Sequence, residues 1–152
     1  SISMLLMFYD CGLFLLPWPF LIISLILATG IINAYNFMDG INGITGGYSL
    51  VVLTAMMYIN NFITEFISNN LLLSVVISVI IFNYFNFRKK AKCFAGDVGS
   101  VSIAFIIVFM LTRLIITTKD LSYIILIVVY GVDSVCTIIH RLILRENIYK
   151  AH

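Results

Sequence analysis

Two polar runs in this 152-residue chain have the residue types and spacing for chemistry on phosphates. The first, NAYNFMDGINGITGG, covers 33–47. Asn33 and Asn36 stand one helical turn apart, Asp39 follows three residues on, and Asn42 precedes Gly43 in a glycine-rich turn. Asparagine amides donate and accept, and glycines leave backbone N–H groups open to an anion. The second, KAKCFAGDVGS at 90–100, sets Asp97 and Ser100 where an apolar stretch begins, with either able to cap the helix. A carboxylate beside small residues and Lys92, at a helix N-terminus, suits a Mg²⁺ ion bridging phosphate oxygens. The same residue types also build ordinary loops and caps, so spacing alone leaves both readings open.

The elements that must position these runs belong to a membrane protein. The chain is 62% hydrophobic and only 11% charged, with a mean hydropathy of +1.11. Soluble domains carry roughly 25% charged residues, and too little polar surface exists here to cover one. A net charge of +2 is too weak to argue for nucleic acid, and none is expected as a partner. Cys11, Cys93 and Cys136 have no paired spacing, so neither a zinc site nor a disulfide framework is expected.

Apolar stretches at 13–33, 46–62, 71–87, 101–118 and 121–140 predict five transmembrane helices, since crossing takes about 20 residues. The first three contain no charged residue, and none shows the alternation of barrel strands. The expected fold is an all-α polytopic bundle forming one transmembrane domain over 1–152. A truncated half-helix at 1–9 would precede it and an amphipathic basic tail would follow it on the inner leaflet. In that tail, His140 and His152 are too far apart for a metal pair on one helix face.

Arg88, Lys89, Lys90, Lys92, Arg141, Arg145 and Lys150 are seven of the nine basic residues, and five spans put them on the side of 34–45. The positive-inside rule makes that side cytoplasmic. Two ionisable residues fall within spans. Asp133 is a functional candidate because an intramembrane carboxylate is costly. Arg113 can snorkel outward, and a depth difference of roughly 10 Å disfavours a direct bridge to Asp133.

The clusters resemble, in order and on one membrane face, the polyprenyl-phosphate N-acetylhexosamine-1-phosphate transferases (glycosyltransferase family 4). NAYNFMDGINGITGG is similar to that superfamily's Asn-rich, Asp-Gly motif. KAKCFAGDVGS looks like its Ala-Lys-x-Phe-Met-Gly-Asp-x-Gly-Ser motif, and 132–152 is similar to the approach to its cytoplasmic His motif. NFMDGING and FAGDVGS look most like the bacterial sugar-priming branch, not the lipid I branch.

The resemblance implies transfer of a sugar 1-phosphate from a UDP-N-acetylhexosamine, such as UDP-N-acetylglucosamine, to undecaprenyl phosphate. UMP would leave, and cell-wall or lipopolysaccharide O-antigen synthesis would begin at the bacterial inner membrane. It implies Mg²⁺, with Mn²⁺ as substitute, and allows a homodimer. Asp97 would be the metal ligand and catalytic, and Asp39 catalytic. Asn33, Asn36, Asn42, Lys92, Phe94, Gly96 and His152 would bind substrate, Phe94 by stacking on uracil and His152 at the diphosphate.

Several positions depart from the family pattern. Asn42 stands where Asp is frequent, Lys90 where Pro is usual and Ala95 where Met is usual, and Asn86 is one residue out of register. The family's adjacent Asp pair is absent. With a start in mid-helix and a stop inside the His motif, the expectation is the C-terminal half of a longer enzyme, inactive alone. The rival reading is a non-catalytic transporter fragment or lipid-binding scaffold, with Asp133 on a transport path.

Overall fold

The computed structural model describes residues 2–15, 17–88 and 91–143. Six α-helices follow one another: α1 (Ile2–Asp10), α2 (Trp18–Met38), α3 (Ile44–Phe62), α4 (Asn69–Asn86), α5 (Gly96–Thr118) and α6 (Ile125–Ile143). Short 3₁₀ turns at Leu13–Leu15 and Leu121–Ile124 precede α2 and α6, and no strand occurs among the described residues. Helices therefore occupy all five expected stretches and the half-helix before them. The start of the expected tail, with His140 and Arg141, continues α6, and the remainder, including Arg145, Lys150 and His152, lies outside the described residues.

Local chemistry sets the boundaries. Pro17 and Pro19 open α2, where a missing N–H costs no intrahelical bond. Gly43, at φ 85°, turns the chain into α3. Lys119, at φ 56°, closes α5 in the left-handed conformation. At the far end of α3 the buried Asn60 organises the link to α4. Its amino group donates to Ile67 O and Asn69 Oδ1, and its Oδ1 accepts from the Phe66 and Ile67 amides.

Helices α2, α4 and α5 are each long and apolar enough to cross a membrane. Helix α3 buries Thr45, Ser49 and Asn60, and all three polar groups are bonded within the bundle. The apolar stretch leading through α6, Leu121–Asp133, is shorter than a full span. Exposed side chains such as Phe20, Ile23, Leu27, Ile77, Ile81 and Val129 give the bundle an apolar exterior suited to lipid.

Packing pairs α3 with α4, and α2 with both α5 and α6. The main core includes Tyr35, Leu53, Met56, Leu72, Ile107, Met110 and Leu114. Within it, Tyr48 and Tyr130 stack with ring centroids 4.0 Å apart, and Tyr35 meets Tyr130 edge-on at 4.6 Å. The Tyr48 hydroxyl donates to Leu126 O and the Tyr130 hydroxyl to Ile44 O, tying α3 and α6 crosswise. A second cluster of Met4, Met7, Phe8, Cys11 and Leu13 seats α1 on Ala28 and Val108. Arg113 is paired with Asp10 at 3.4 Å, so α1 supplies the countercharge and Asp133, which is exposed, does not.

Candidate functional site

The two polar runs meet at one end of the bundle, and the residue that joins them is Asn86. It is buried at the last position of α4. Its Oδ1 accepts the Gly43 N–H at 2.6 Å, and its amino group donates to Cys93 O at 2.7 Å. The turn after α2 and the approach to α5 are thereby held by a single amide. Asn42 adds a second link, donating to Arg88 O at 3.2 Å, and the Lys92 N–H returns to Phe85 O at 3.0 Å. Phe87 lies directly against Gly43, where a β-carbon would overlap its ring. Glycine is required there twice over, for the positive φ and for the contact.

The helices themselves are joined one turn further in. The fully buried Ser100 hydroxyl lies 2.9 Å from Asn36 Oδ1 and 2.8 Å from Gly96 O, bringing α5 against the end of α2. Thr45 donates to Asp39 Oδ1 at 2.7 Å, which fixes one carboxylate oxygen of Asp39 at the start of α3. Asn36, Asp39 and Asn42 are therefore all tied into the junction. Asn33, one turn earlier on α2, is exposed and stands apart from this network.

Helix α5 begins at Gly96, five residues before the expected 101–118 span, so Asp97 lies in its first turn. Neither Asp97 nor Ser100 caps it: Ala95 is the N-cap residue, with no side-chain cap bond. The helix starts upstream of both, so they lie inside it, and the Ser100 hydroxyl faces Asn36 and its own helix instead. Asp97, Lys92 and Phe94 are exposed, and Gly96 turns the chain into the helix at φ 58°. Phe94 lines a cavity of about 350 Å³ running between α4 and α5, with Thr45, Ser78, Phe82, Gly99 and Ile103 among its walls.

Among the described residues, no three His, Cys, Asp or Glu side chains gather closely enough to hold a metal by themselves. An all-protein cage is therefore not built here. Asp97 presents an exposed carboxylate, which fits Mg²⁺, an ion that commonly takes one or two carboxylates and fills its shell with phosphate oxygens and water. Chemically, the junction offers amide donors, an exposed carboxylate at a helix N-terminus, a lysine and an exposed aromatic ring. That set can receive a phosphorylated aromatic ligand from the aqueous side. Asn86, Thr45 and Gly43 were not singled out from the sequence as site residues, because their part is to hold other groups in place. The signals present were Gly43 in its glycine-rich turn and Asn86 standing one residue out of the family register.

A model of glycosyl transferase family 4 matches residues 1–115. A probable undecaprenyl-phosphate N-acetylglucosaminyl 1-phosphate transferase of Bacillus subtilis is 30% identical over 139 residues, 89% of this chain and 38% of the relative. A phospho-N-acetylmuramoyl-pentapeptide-transferase of Fervidobacterium nodosum is 23% identical over 128 residues, 84% of this chain and 40% of the relative. An undecaprenyl-phosphate alpha-N-acetylglucosaminyl 1-phosphate transferase of Yersinia pestis is 31% identical over 106 residues. The aligned regions cover 38% and 40% of the first two relatives' own length. No solved structure matches the chain.

Proposed function

Because the chain belongs to glycosyl transferase family 4, we propose that it forms the nucleotide-sugar end of a membrane phospho-N-acetylhexosamine transferase of the sugar-priming branch. The substrates are a UDP-N-acetylhexosamine and polyprenyl phosphate, and the products are polyprenyl diphosphate-sugar and UMP. The observation that carries this reading is the Asn86 junction, which sets both polar runs at one end of the bundle with Asp97 open beside them.

In this reading an oxygen of the lipid phosphate attacks the sugar-linked β-phosphorus, and the bond from that phosphorus to the UMP oxygen breaks. The lipid phosphate is already anionic, so the protein's task is to hold two anions together more than to remove a proton. Lys92 and the amides of Asn36 and Asn42 screen and orient the diphosphate, while Phe94 stacks on the uracil ring. Asp39, oriented by Thr45, directs donors of the loop toward the sugar phosphate. Bound Mg²⁺, held by Asp97, would supply charge neutralisation on the phosphate oxygens. His152 would contact the diphosphate from the tail. The active end would face the cytoplasm of a bacterial inner membrane, and the basic residues at 88–92 support that orientation.

The test is UMP release from UDP-N-acetylglucosamine and undecaprenyl phosphate by the full-length protein in detergent with Mg²⁺. UMP formation that depends on both substrates is expected. Its absence, with the protein folded, would turn the reading to a lipid-binding membrane scaffold.

A further inference from the structure

On the flank of α3 and α4 away from the Phe94 cavity, a second hollow has a makeup of its own. Its volume is about 590 Å³ and its walls are Gly47, Ile80, Asn83, Tyr84, Phe87 and Arg88. Two adjacent glycines shape it differently. At Gly46 a β-carbon would overlap the Asn83 amide and the Phe82 ring, whereas at Gly47 it would meet nothing within 4 Å. The first glycine lets the helices touch, and the second leaves the space open.

The polar side chains of the hollow are Asn83 and Arg88. Asn83 Oδ1 is buried against Gly46 with no hydrogen-bond partner. Its amino group is thus the half of the amide left to a ligand. Arg88 is held in place twice: its Nε donates to Tyr84 O at 3.0 Å, and its guanidinium carbon lies 4.7 Å from the Tyr84 ring centroid. Its terminal Nη groups have no acceptor among the described residues, and a guanidinium so fixed presents a fork for phosphate oxygens.

The surroundings are those of a lipid. Tyr84 and Phe87 are 66% and 73% exposed at the end of an apolar helix, where aromatic side chains mark the headgroup level. From Tyr84 down, Ile80, Ile77 and Leu73 continue one exposed stripe along α4 at helical spacing, a track for an acyl chain.

We propose that this hollow binds one anionic glycerophospholipid, its phosphate on Arg88 and Asn83 and its chain along the α4 stripe. A free phosphate would gain the guanidinium but leave the apolar walls uncovered. The site is also mechanically joined to the junction, because the Arg88 carbonyl accepts from Asn42. A bound lipid would brace the Asn42 turn from behind.

The experiment reads lipid retention, so its outcome does not depend on whether the transferase reading holds. The full-length protein is stripped of lipid, exposed to phosphatidylcholine nanodiscs doped with phosphatidylglycerol, and analysed by native mass spectrometry. One retained phosphatidylglycerol is expected, preferred about fivefold, as roughly 1 kcal/mol per basic group at the surface implies. Gly47→Leu, which fills the hollow, and Arg88→Gln, which removes the charge, should each abolish the preference. Unchanged thermal unfolding of the Gly47→Leu protein verifies that its fold is intact. Equal retention by wild type and Gly47→Leu would overturn the proposal. So would displacement of the lipid by inorganic phosphate, or by equimolar polyprenyl phosphate, which would give the hollow to the acceptor.

Discussion

The Asn86 side chain accepts the Gly43 amide at 2.6 Å across 43 residues of sequence, and this buried bond sets where the two polar runs lie relative to one another. Asn86→Ala would leave the buried Gly43 N–H unpaired and free the part-buried Cys93 carbonyl. The loss at Gly43 costs about 1–3 kcal/mol. Thermal unfolding of the full-length protein should fall accordingly, and UMP formation should fall with it. Asn86→Asp keeps the acceptor for Gly43 and should recover part of both losses.

The glycines give a sharper contrast. Gly46→Ala forces a β-carbon into Asn83 and Phe82, and overpacking of this kind costs about 1–3 kcal/mol. Gly47→Ala meets open space and should be neutral or slightly stabilising in the same unfolding assay. At Gly43 a substitution is opposed by the φ of 85° as well as by Phe87, so adding Phe87→Ala should rescue Gly43→Ala only in part.

The Asn36–Ser100 contact is testable as a pair. Asn36→Ala and Ser100→Ala, singly and together, should show a coupling of about 1 kcal/mol in a double-mutant cycle. Additive effects would show that the hydroxyl's bond to Gly96 O carries its whole contribution.

Asp97→Asn removes the open carboxylate without disturbing the described packing. It should lower kcat about 100-fold or more, the size of effect seen when preorganised electrostatic stabilisation is lost. Removal of Mg²⁺ by a chelator should abolish wild-type turnover and add little to the loss in Asp97→Asn.

Thiol labelling tests the orientation. Cys93 is exposed on the connection between α4 and α5 and should react with a membrane-impermeant maleimide only from the cytoplasmic face. Cys11 is buried beneath α1, and burial pushes its thiol up to about 11. Little thiolate forms there below that pH, so Cys11 should stay unlabelled at neutral pH until the protein is unfolded.

The helices were legible because apolar runs of this length have few alternatives in a bilayer, and the two motifs were legible because Asn, Asp and Gly cluster against an apolar background. The boundaries were less so. Asp97 and Ser100 read as candidate caps of a helix beginning at 101, yet both lie inside α5, which starts at Gly96 and packs Ser100 against Asn36. Arg113 was unassigned because its partner, Asp10, lies 103 residues away. Asn33 was grouped with Asn36 by spacing, but one turn of helix carries it outside the network. Long-range pairing of single polar residues leaves no periodic trace in a sequence.

The tyrosine trio has a consequence for biogenesis. Tyr48 and Ile44 emerge from the ribosome some 80 residues ahead of Leu126 and Tyr130, their partners at separations of 78 and 86. Until α6 is synthesised, the start of α3 holds a tyrosine hydroxyl without its Leu126 acceptor in an apolar setting. The early helices must therefore wait at the insertion machinery, or at the lipid boundary, in an unfinished state that the last helix resolves. A nascent chain arrested before Tyr130 should accordingly expose the α3 start to quality-control proteases, and one arrested after α6 should not.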